Sequence, residues 1–483
     1  MPWGLDFWST FSLIFLVTAI PVALLIILEK RSPFKTAAWV LALILLPVFG
    51  VVFYLFFGQE YRKKKLFSRK GLKSLNQYRQ LSFRQLRQFE QSLRKLNPKV
   101  REKEKIIRLL LKNSSALLTT GNKLKILNNA NETFDAIFAA IENAKHHIHL
   151  EYYILEDDKI GNRLKELLIK KSNEGVEVRI IVDDVGSWGL GKKYIKSLQQ
   201  NGIEIYSFME VRFPRLTSRV NYRNHRKIVV IDGKTGFTGG INFADRYLKG
   251  VKGVGPWRDT HLQIEGDAVN SLQVVFAADW FFVVHENLTG KKYFPPLSET
   301  PEIPVQISAS GPDSDWDSIG QAFFTAISGS KSKVYITTPY LMPPLEIIYA
   351  LKTAALSNVD VRILMPEKSD AVIPHWSSFS YIEELLEAGV RVFFYQNGFV
   401  HSKYIIVDEV FSTVGTSNLD FRSLETNFEV NAFIYDEGFT TELEKQFKAD
   451  LQKSRELKLD EWRQRKWHFK LRESVAHLVS PLM

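Results

Sequence analysis

The sequence predicts an α/β protein made of two similar halves, preceded by an N-terminal helical hairpin of membrane-spanning length. Three observations carry this. Two long uncharged apolar runs open the chain, and strand-like and helix-like segments then alternate twice in the same order. Each round of alternation ends in the same unusual polar strand.

The apolar runs come first. Residues 7–28 and 37–57 contain 22 and 21 residues without a charge. At helical rise each is about 30 Å long, enough to cross a bilayer core. A cleaved secretory signal fits poorly, because no Lys or Arg precedes the first run and the second follows after only "EKRSPFKT". Pro21, Pro47 and Gly50 interrupt the runs, which membrane helices tolerate. Lys30, Arg31 and Lys35 lie between the runs, whereas Arg62, Lys63, Lys64, Lys65, Arg69 and Lys70 follow the second. The heavier basic side sets the orientation, so both termini are expected in the cytoplasm.

Charge is as uneven as hydropathy. Residues 61–112 contain 18 Lys or Arg against three Glu, a local +15, whereas the whole chain of 483 residues is +11 and the remainder therefore −4. A near-neutral body argues against a long nucleic-acid groove, whose affinity rests on phosphate neutralisation. Beside a membrane, each basic residue of this segment gains about 1 kcal/mol from anionic headgroups, which makes a negatively charged lipid the expected partner. The chain has no cysteine, which excludes disulfides, thiolate nucleophiles and Cys-ligated metal centres. The expected organisation is a hairpin over 1–58, a basic juxtamembrane segment over 59–113, and two α/β halves over 114–295 and 296–483.

In the first half, "HHIHLEYYIL" reads as a strand, "IGNRLKELLIKKSNEG" as a helix, "VEVRIIVDD" as a strand, "KKYIKSLQQNG" as a helix and "IEIYSF" as a strand. In the second, "KVYITTPYLM", "LEIIYALKTAALSN", "VDVRILMPE", "SYIEELLEAG" and "VRVFFYQ" repeat that order. Such alternation predicts a largely parallel or mixed sheet covered by helices. Gly175, Gly202 and Gly389 follow helical runs where a left-handed residue is wanted.

Each half then brings the polar strand. His225-Arg-Lys227-Ile-Val-Val-Ile-Asp232 and His401-Ser-Lys403-Tyr-Ile-Ile-Val-Asp408 share their spacing. Period 2 puts His225, Lys227 and Val229 on one face of a strand. In both halves an Asn stands ten residues beyond the Asp, Asn242 in "TGGIN" and Asn418 in "VGTSN". Polar types matched at this spacing in two halves need a chemical reason rather than a packing one.

The duplicated HxKxxxxD followed by a Gly-rich turn ending in Asn resembles the phospholipase D superfamily and, more narrowly, the bacterial cardiolipin synthases. The stretches "GPWRDTHLQIEGDAV", "GPDSDWDSIGQAFFTAISGSKSKVYITTPY" and the terminal "LVSPLM" carry the narrower likeness. Gly240 stands where many members have Ser. The resemblance implies two halves facing each other about a pseudo-twofold axis, with one site between them. It implies a multi-pass protein of the bacterial cytoplasmic membrane, with the catalytic halves on the cytoplasmic side. The implied reaction joins two phosphatidylglycerols into cardiolipin and releases glycerol, with no metal and no cofactor.

Within that resemblance the residue types suit the chemistry. One neutral imidazole attacks phosphorus and the other, protonated, serves the leaving oxygen. The family pattern makes His225 the nucleophile and His401 the acid/base. Lys227 and Lys403, with Asn242 and Asn418, are expected to bind the phosphate oxygens. Asp259 and Glu429 align in the repeat and are expected to orient the imidazoles. Asp232 and Asp408 complete the catalytic set, or else fix the turns that follow them. His147 and His149 sit two apart with no evident third metal ligand. His375 and Trp376 fall near the lipid pocket by family position. The C-terminal "EWRQRKWHFKLRESVAHLVSPLM" fits a helix docked on the second half, or an amphipathic surface helix. Water or another alcohol as acceptor, a nuclease, and a non-catalytic membrane scaffold are the competing readings.

Overall fold

A computed structural model describes residues 15–28, 33–46, 49–51, 54, 72–87, 96–211, 221–296 and 302–480. The chain divides into two compact units, one formed by residues 1–69 and 211–222 and the other by the rest.

In the first unit, a π-helical turn Phe15–Ala19 runs into the helix Ile20–Leu28, and a second helix spans Pro33–Leu45. Ile26, Leu43 and Tyr54 are buried in their contact, with Trp39 edge-on to Tyr54. Among the described residues no helix is long and apolar enough to cross a membrane. The remaining parts of the two expected spans, and residues 59–71 and 88–95 of the expected basic segment 59–113, lie outside the described residues.

The second unit holds both halves, and their sheets share one strand order. The first sheet runs Asn122–Leu127, His261–Gly266, Thr235–Gly239, Lys227–Ile231, His147–Tyr152, Glu177–Asp183, Glu204–Phe208. The second runs Val305–Ser310, Glu429–Tyr435, Phe411–Gly415, Tyr404–Val407, Lys333–Thr337, Asp360–Pro366, Arg391–Tyr395, with Ser454–Glu456 added at the far edge. In each half the three strands joined through helices pair in parallel, and the polar-motif strand pairs antiparallel to the first of them. The duplication read from sequence is therefore a duplication of topology. Gly175, Gly202 and Gly389 have φ of +88°, +77° and +91°, as their helix ends require.

Three apolar clusters stack through this unit. One lies under the helices of the first half and another under those of the second. The third is shared: Ile228, Val230 and Leu262 of the first half meet Ile406, Val430 and Ala432 of the second. Ile228, Val230 and Ile406 are alternate residues of the motif strands and Leu262, Val430 and Ala432 come from strands of the same sheets, so the apolar face of each polar strand helps join the halves. Residues 98–113 also belong to this body, because Ile106, Ile107, Leu110 and Leu111 are buried in the second-half core.

Two short parallel ladders cross between the halves. Trp257–Arg258 pairs with Phe399–Val400, and Asn224 bridges Phe428. The first ladder demands a close pass, since a Cβ on Gly398 (φ +117°) would lie 2.1 Å from Pro256 O. Gly398→Ala is expected to cost about 2–4 kcal/mol through backbone strain and overpacking. Thermal unfolding of the purified protein checks this, and an unchanged midpoint would show that the ladder yields without cost.

Candidate active site

The ladders deliver the histidines. His225 and His401 stand just ahead of their sheet strands, at the ends of the cross-half pairings rather than within the sheet. His225 N donates to Phe428 O at 2.9 Å, and Phe428 N donates to Arg223 O at 2.9 Å. Symmetrically, His401 N donates to Arg258 O at 2.7 Å and Phe399 N to Pro256 O at 2.8 Å. Each histidine is thereby placed beside the residue that follows its partner segment, Glu429 for His225 and Asp259 for His401.

The carboxylates therefore pair across the halves. His225 Nδ1 lies 2.9 and 3.0 Å from the two Glu429 oxygens, and His401 Nδ1 lies 2.7 Å from Asp259 Oδ2. With Nδ1–H donated to a carboxylate, Nε2 is left for a substrate. Both imidazoles, Asn242 and Asn418 line one cavity of about 670 Å³. Arg223, Arg246 and Arg422 add cationic walls, and Asp370 and Asp420 add acceptors. A cavity of about 720 Å³ elsewhere, against Trp316, Phe324 and Ile347, brings no such groups together.

Lys227 and Lys403 are fully buried behind the histidines. Lys227 Nζ donates to His225 O at 2.7 Å, and Lys403 Nζ donates to His401 O. Burial pulls Lys227 down to about 7 and Lys403 to about 8, although Glu429 and Asp259 oppose the shift. Burial, assisted by the two lysines, also pulls His225 down to about 4 and His401 well below the ordinary imidazole value. The resting imidazoles are neutral at pH 7.

The carboxylates are not equivalent. Burial pushes Glu429 up, but His225 and then Lys227, with a smaller contribution from Thr416 Oγ1 donating to Oε2, hold it below the ordinary value. The matching position beside Asp259 is Gly240, where a Cβ would lie 2.0 Å from Asp259 Oδ1. Asp259 has no matching hydroxyl from that position, and burial raises it to about 6. The Gly240 departure from the family pattern thus makes room for the Asp259 carboxylate.

Asn242 Oδ1 accepts from Ile154 N at 3.1 Å, and its amide donates to Tyr247 OH. Asn418 is also buried at the cavity, with its Oδ1 unpartnered in the protein. Asp232 and Asp408 are not brought to the site. Each ends its strand at positive φ, +55° and +56°. Asp232 accepts from the amides of Lys145, His146 and His147 at 2.8–3.0 Å. Asp408 accepts from the Lys331 and Ser332 amides at 2.9 Å and from Lys103 Nζ at 2.7 Å. A strand's length separates each from its histidine, so they fasten turns.

His147 and His149 are buried side by side, His149 stacked on Phe276 and bonded to Gln273 Oε1 at 3.0 Å. Among the described residues no group of three potential metal ligands is found. His375 packs on Phe379 in the helix Val372–Ser380, and Trp376 lies under Arg472 of the C-terminal helix. Sequence reading missed Arg223 and Thr416. Arg223 is held by Asp183 at 3.1 Å, a carboxylate that also accepts from Asn224 N at 2.8 Å and so shapes the approach to His225. Its position two residues before the motif was the available signal.

The family model described as cardiolipin synthase, PLD-like domain, matches residues 137–280 and 323–451, and a phospholipase D-nuclease N-terminal model matches residues 4–59. A Bacillus anthracis protein named cardiolipin synthase 2 is 42% identical over 97% of this chain and 91% of its own. A cardiolipin synthase of Halalkalibacterium halodurans is 42% identical over 99% of this chain and 96% of its own. The crystal structure of a Haemophilus influenzae phosphatidylserine synthase superposes with TM-score 0.61 at 16% identity, covering 80% of this chain and all of that one, a likeness of fold.

Asp232→Ala is expected to destabilise the protein by about 1–3 kcal/mol, because the amides it now satisfies lose their acceptor. Thermal unfolding together with KM on the folded fraction checks this. An unchanged KM is expected, and a changed KM with unchanged stability would return Asp232 to the site.

Proposed function

The chain belongs to the cardiolipin synthase, PLD-like domain family of enzymes, and on that premise we propose that it converts two phosphatidylglycerols into cardiolipin and glycerol through a phosphatidyl-histidine intermediate. The observation that carries this is the pair of imidazoles, each bound to a carboxylate through Nδ1, on the walls of one cation-lined cavity.

His225 is the nucleophile. Its Nε2 attacks the phosphorus of the first phosphatidylglycerol, forming a P–N bond as the P–O bond to the headgroup glycerol breaks. His401, protonated, gives its Nε2 proton to the departing glycerol oxygen. In the return step a hydroxyl of the second lipid's glycerol attacks phosphorus and yields its proton to His401. The P–N bond then breaks, cardiolipin leaves and His225 is restored. Support for this assignment is the inequality of the carboxylates. Glu429 is held ionised and keeps His225 in the nucleophilic tautomer, whereas Asp259, raised to about 6, suits a pair that gains and loses a proton. Binding an anionic phosphodiester offsets part of the burial and lysine repulsion that depress His401, so the substrate itself favours the acid.

Lys227 and Lys403 stabilise the charge developing on the phosphoryl oxygens from behind the histidines, and Asn242 and Asn418 supply donors at the wall. Arg223, Arg246 and Arg422 favour a second anionic lipid. Asp370, which accepts from Tyr340 OH at 2.6 Å, and Asp420 offer acceptors for glycerol hydroxyls, a reason to favour an alcohol-bearing headgroup over water alone. The same reading assigns the enzyme to the bacterial cytoplasmic membrane through its N-terminal apolar runs. Leu24, Leu28, Leu41 and Leu45 of the described hairpin helices are all more than half exposed, which supports that reading.

Incubation with phosphatidylglycerol alone tests the reaction. Cardiolipin and glycerol in equal amounts, lost in His225→Ala, are expected, whereas phosphatidic acid as the main product would make the enzyme a hydrolase. Glu429→Gln should lower kcat by roughly 10³–10⁴ with little change in KM, as loss of the orienting carboxylate does in a histidine–carboxylate pair. A loss under tenfold would remove Glu429 from that role. For the free enzyme, a lysine carries charge below its pKa and loses it above. Values of about 7 and 8 for Lys227 and Lys403 therefore predict that kcat/KM falls as pH rises through 7–8. Lys227→Arg should move that limb upward, and an unmoved limb would assign it elsewhere.

A further inference from the structure

The C-terminal helix Trp467–Val479 turns a line of large apolar side chains to solvent. Trp467, Leu471, Val475 and Leu478 fall on one face at helical spacing and are 74%, 54%, 58% and 78% exposed. Toward the protein it buries Ala476 and Glu473 and lays Arg472 over Trp376, and polar contacts fasten its ends. Glu473 pairs with Arg465 at 2.7 Å, His477 Nδ1 lies 2.9 Å from Ser380 Oγ, and Tyr381 OH lies 2.9 Å from Ser480 Oγ. A helix docked only to finish a water-soluble surface buries its Trp and Leu and exposes its Glu and Ser. Four large apolar side chains in one exposed line instead mark a contact surface.

The position of the helix identifies what it meets. Its main packing partner is the helix Val372–Ser380, whose first turn lines the active cavity. There Val372 and Ile373 are 62% and 47% exposed, so the cavity edge and the C-terminal stripe are both apolar. Residues 464–483 carry four Lys or Arg against one Glu, and that Glu is already paired. Apolar side chains flanked by net positive charge fit an anionic bilayer surface, with the aromatic and aliphatic groups at the headgroup–acyl boundary. The same face of a second copy carries the same positive charge and does not complement it.

We propose that the exposed face of the helix Trp467–Val479, together with Val372 and Ile373, docks on an anionic lipid bilayer and seats the mouth of the active cavity against it. The proposal rests on the phospholipid reading of the site. It assigns the face a role separate from that proposed for the N-terminal hairpin. The docked face lets a lipid headgroup enter the cavity while its acyl chains stay in the membrane.

The absence of cysteine makes a direct test possible. Leu471→Cys and, as a control on a first-half helix, Gln199→Cys are each labelled with an environment-sensitive NBD dye in the full chain. Both proteins are reconstituted into vesicles of phosphatidylglycerol and phosphatidylcholine. The label at 471 should be quenched at least threefold more by doxyl groups on the lipid, and threefold less by aqueous iodide, than the label at 199. Equal iodide quenching at both positions would overturn the proposal. Protection at 471 that appears without lipid and rises with protein concentration would assign the face to a second copy, and also overturn it. This reading needs no turnover, so it fails or holds independently of the reaction assigned above. A Trp467→Ser/Leu471→Ser/Val475→Ser variant should turn over bilayer phosphatidylglycerol at least tenfold more slowly while keeping its rate on dispersed short-chain phosphatidylglycerol. Equal losses on both substrates would show that the face serves the fold instead.

Discussion

The site depends on two hydrogen bonds that cross between the halves, His225 to Glu429 and His401 to Asp259. Neither half contains a complete histidine–carboxylate unit, so the two sheets must be fused before either imidazole has a fixed tautomer. Much of the fold serves that requirement. The apolar faces of the motif strands form a shared core, two short ladders set the register, and the Gly398–Pro256 pass brings the backbones close enough to pair. Arg226 adds a polar tie, reaching Glu429 O and Ser310 O at 3.1 Å from the opposite half. Loss of either carboxylate would leave an imidazole unoriented and reduce the compensation of buried lysine charge.

Burial sets the electrostatics. Two histidines and two lysines converge where solvent is scarce, so each base is pushed toward its neutral form and waits for an anion. In the proposed reaction a phosphodiester sets negative charge beside the two lysines and histidines, which couples binding to protonation. The near-symmetry of the halves is broken at one matched position. Thr416 gives Glu429 a hydroxyl, whereas Gly240 gives Asp259 room and nothing to bind. That position adds to a larger difference: His225 and Lys227 hold Glu429 below the ordinary value against burial, whereas burial prevails at Asp259 and raises it to about 6.

Much of this was legible in the sequence because it repeats. The spacing of His225, Lys227 and Asn242 against His401, Lys403 and Asn418, together with two rounds of strand and helix, contains the duplicated topology. The alignment of Asp259 with Glu429 marks both orienting carboxylates. It does not reveal which histidine each serves, because crossing is a property of how two sheets face and leaves no mark in either repeat. Asp232 and Asp408 share the motif's spacing but take left-handed backbone at a strand end, where a carboxylate collects free amides, so pattern alone could not separate turn from chemistry. Residues 98–113 read as part of a basic linker because Lys99, Arg101, Lys103 and Lys105 dominate their composition. The apolar Ile106, Ile107, Leu110 and Leu111 on one helix face nevertheless bind them into the second-half core.

The central claim is that His225, held by Glu429 of the opposite half, is the nucleophile and His401 the acid. A phosphatidyl-p-nitrophenol substrate separates the two roles, because its leaving group departs without a proton. In rapid mixing, His401→Ala should release about one nitrophenol per enzyme and then stall, while His225→Ala and Glu429→Gln give no burst. A burst retained by His225→Ala and lost in His401→Ala would contradict the account and exchange the two histidines.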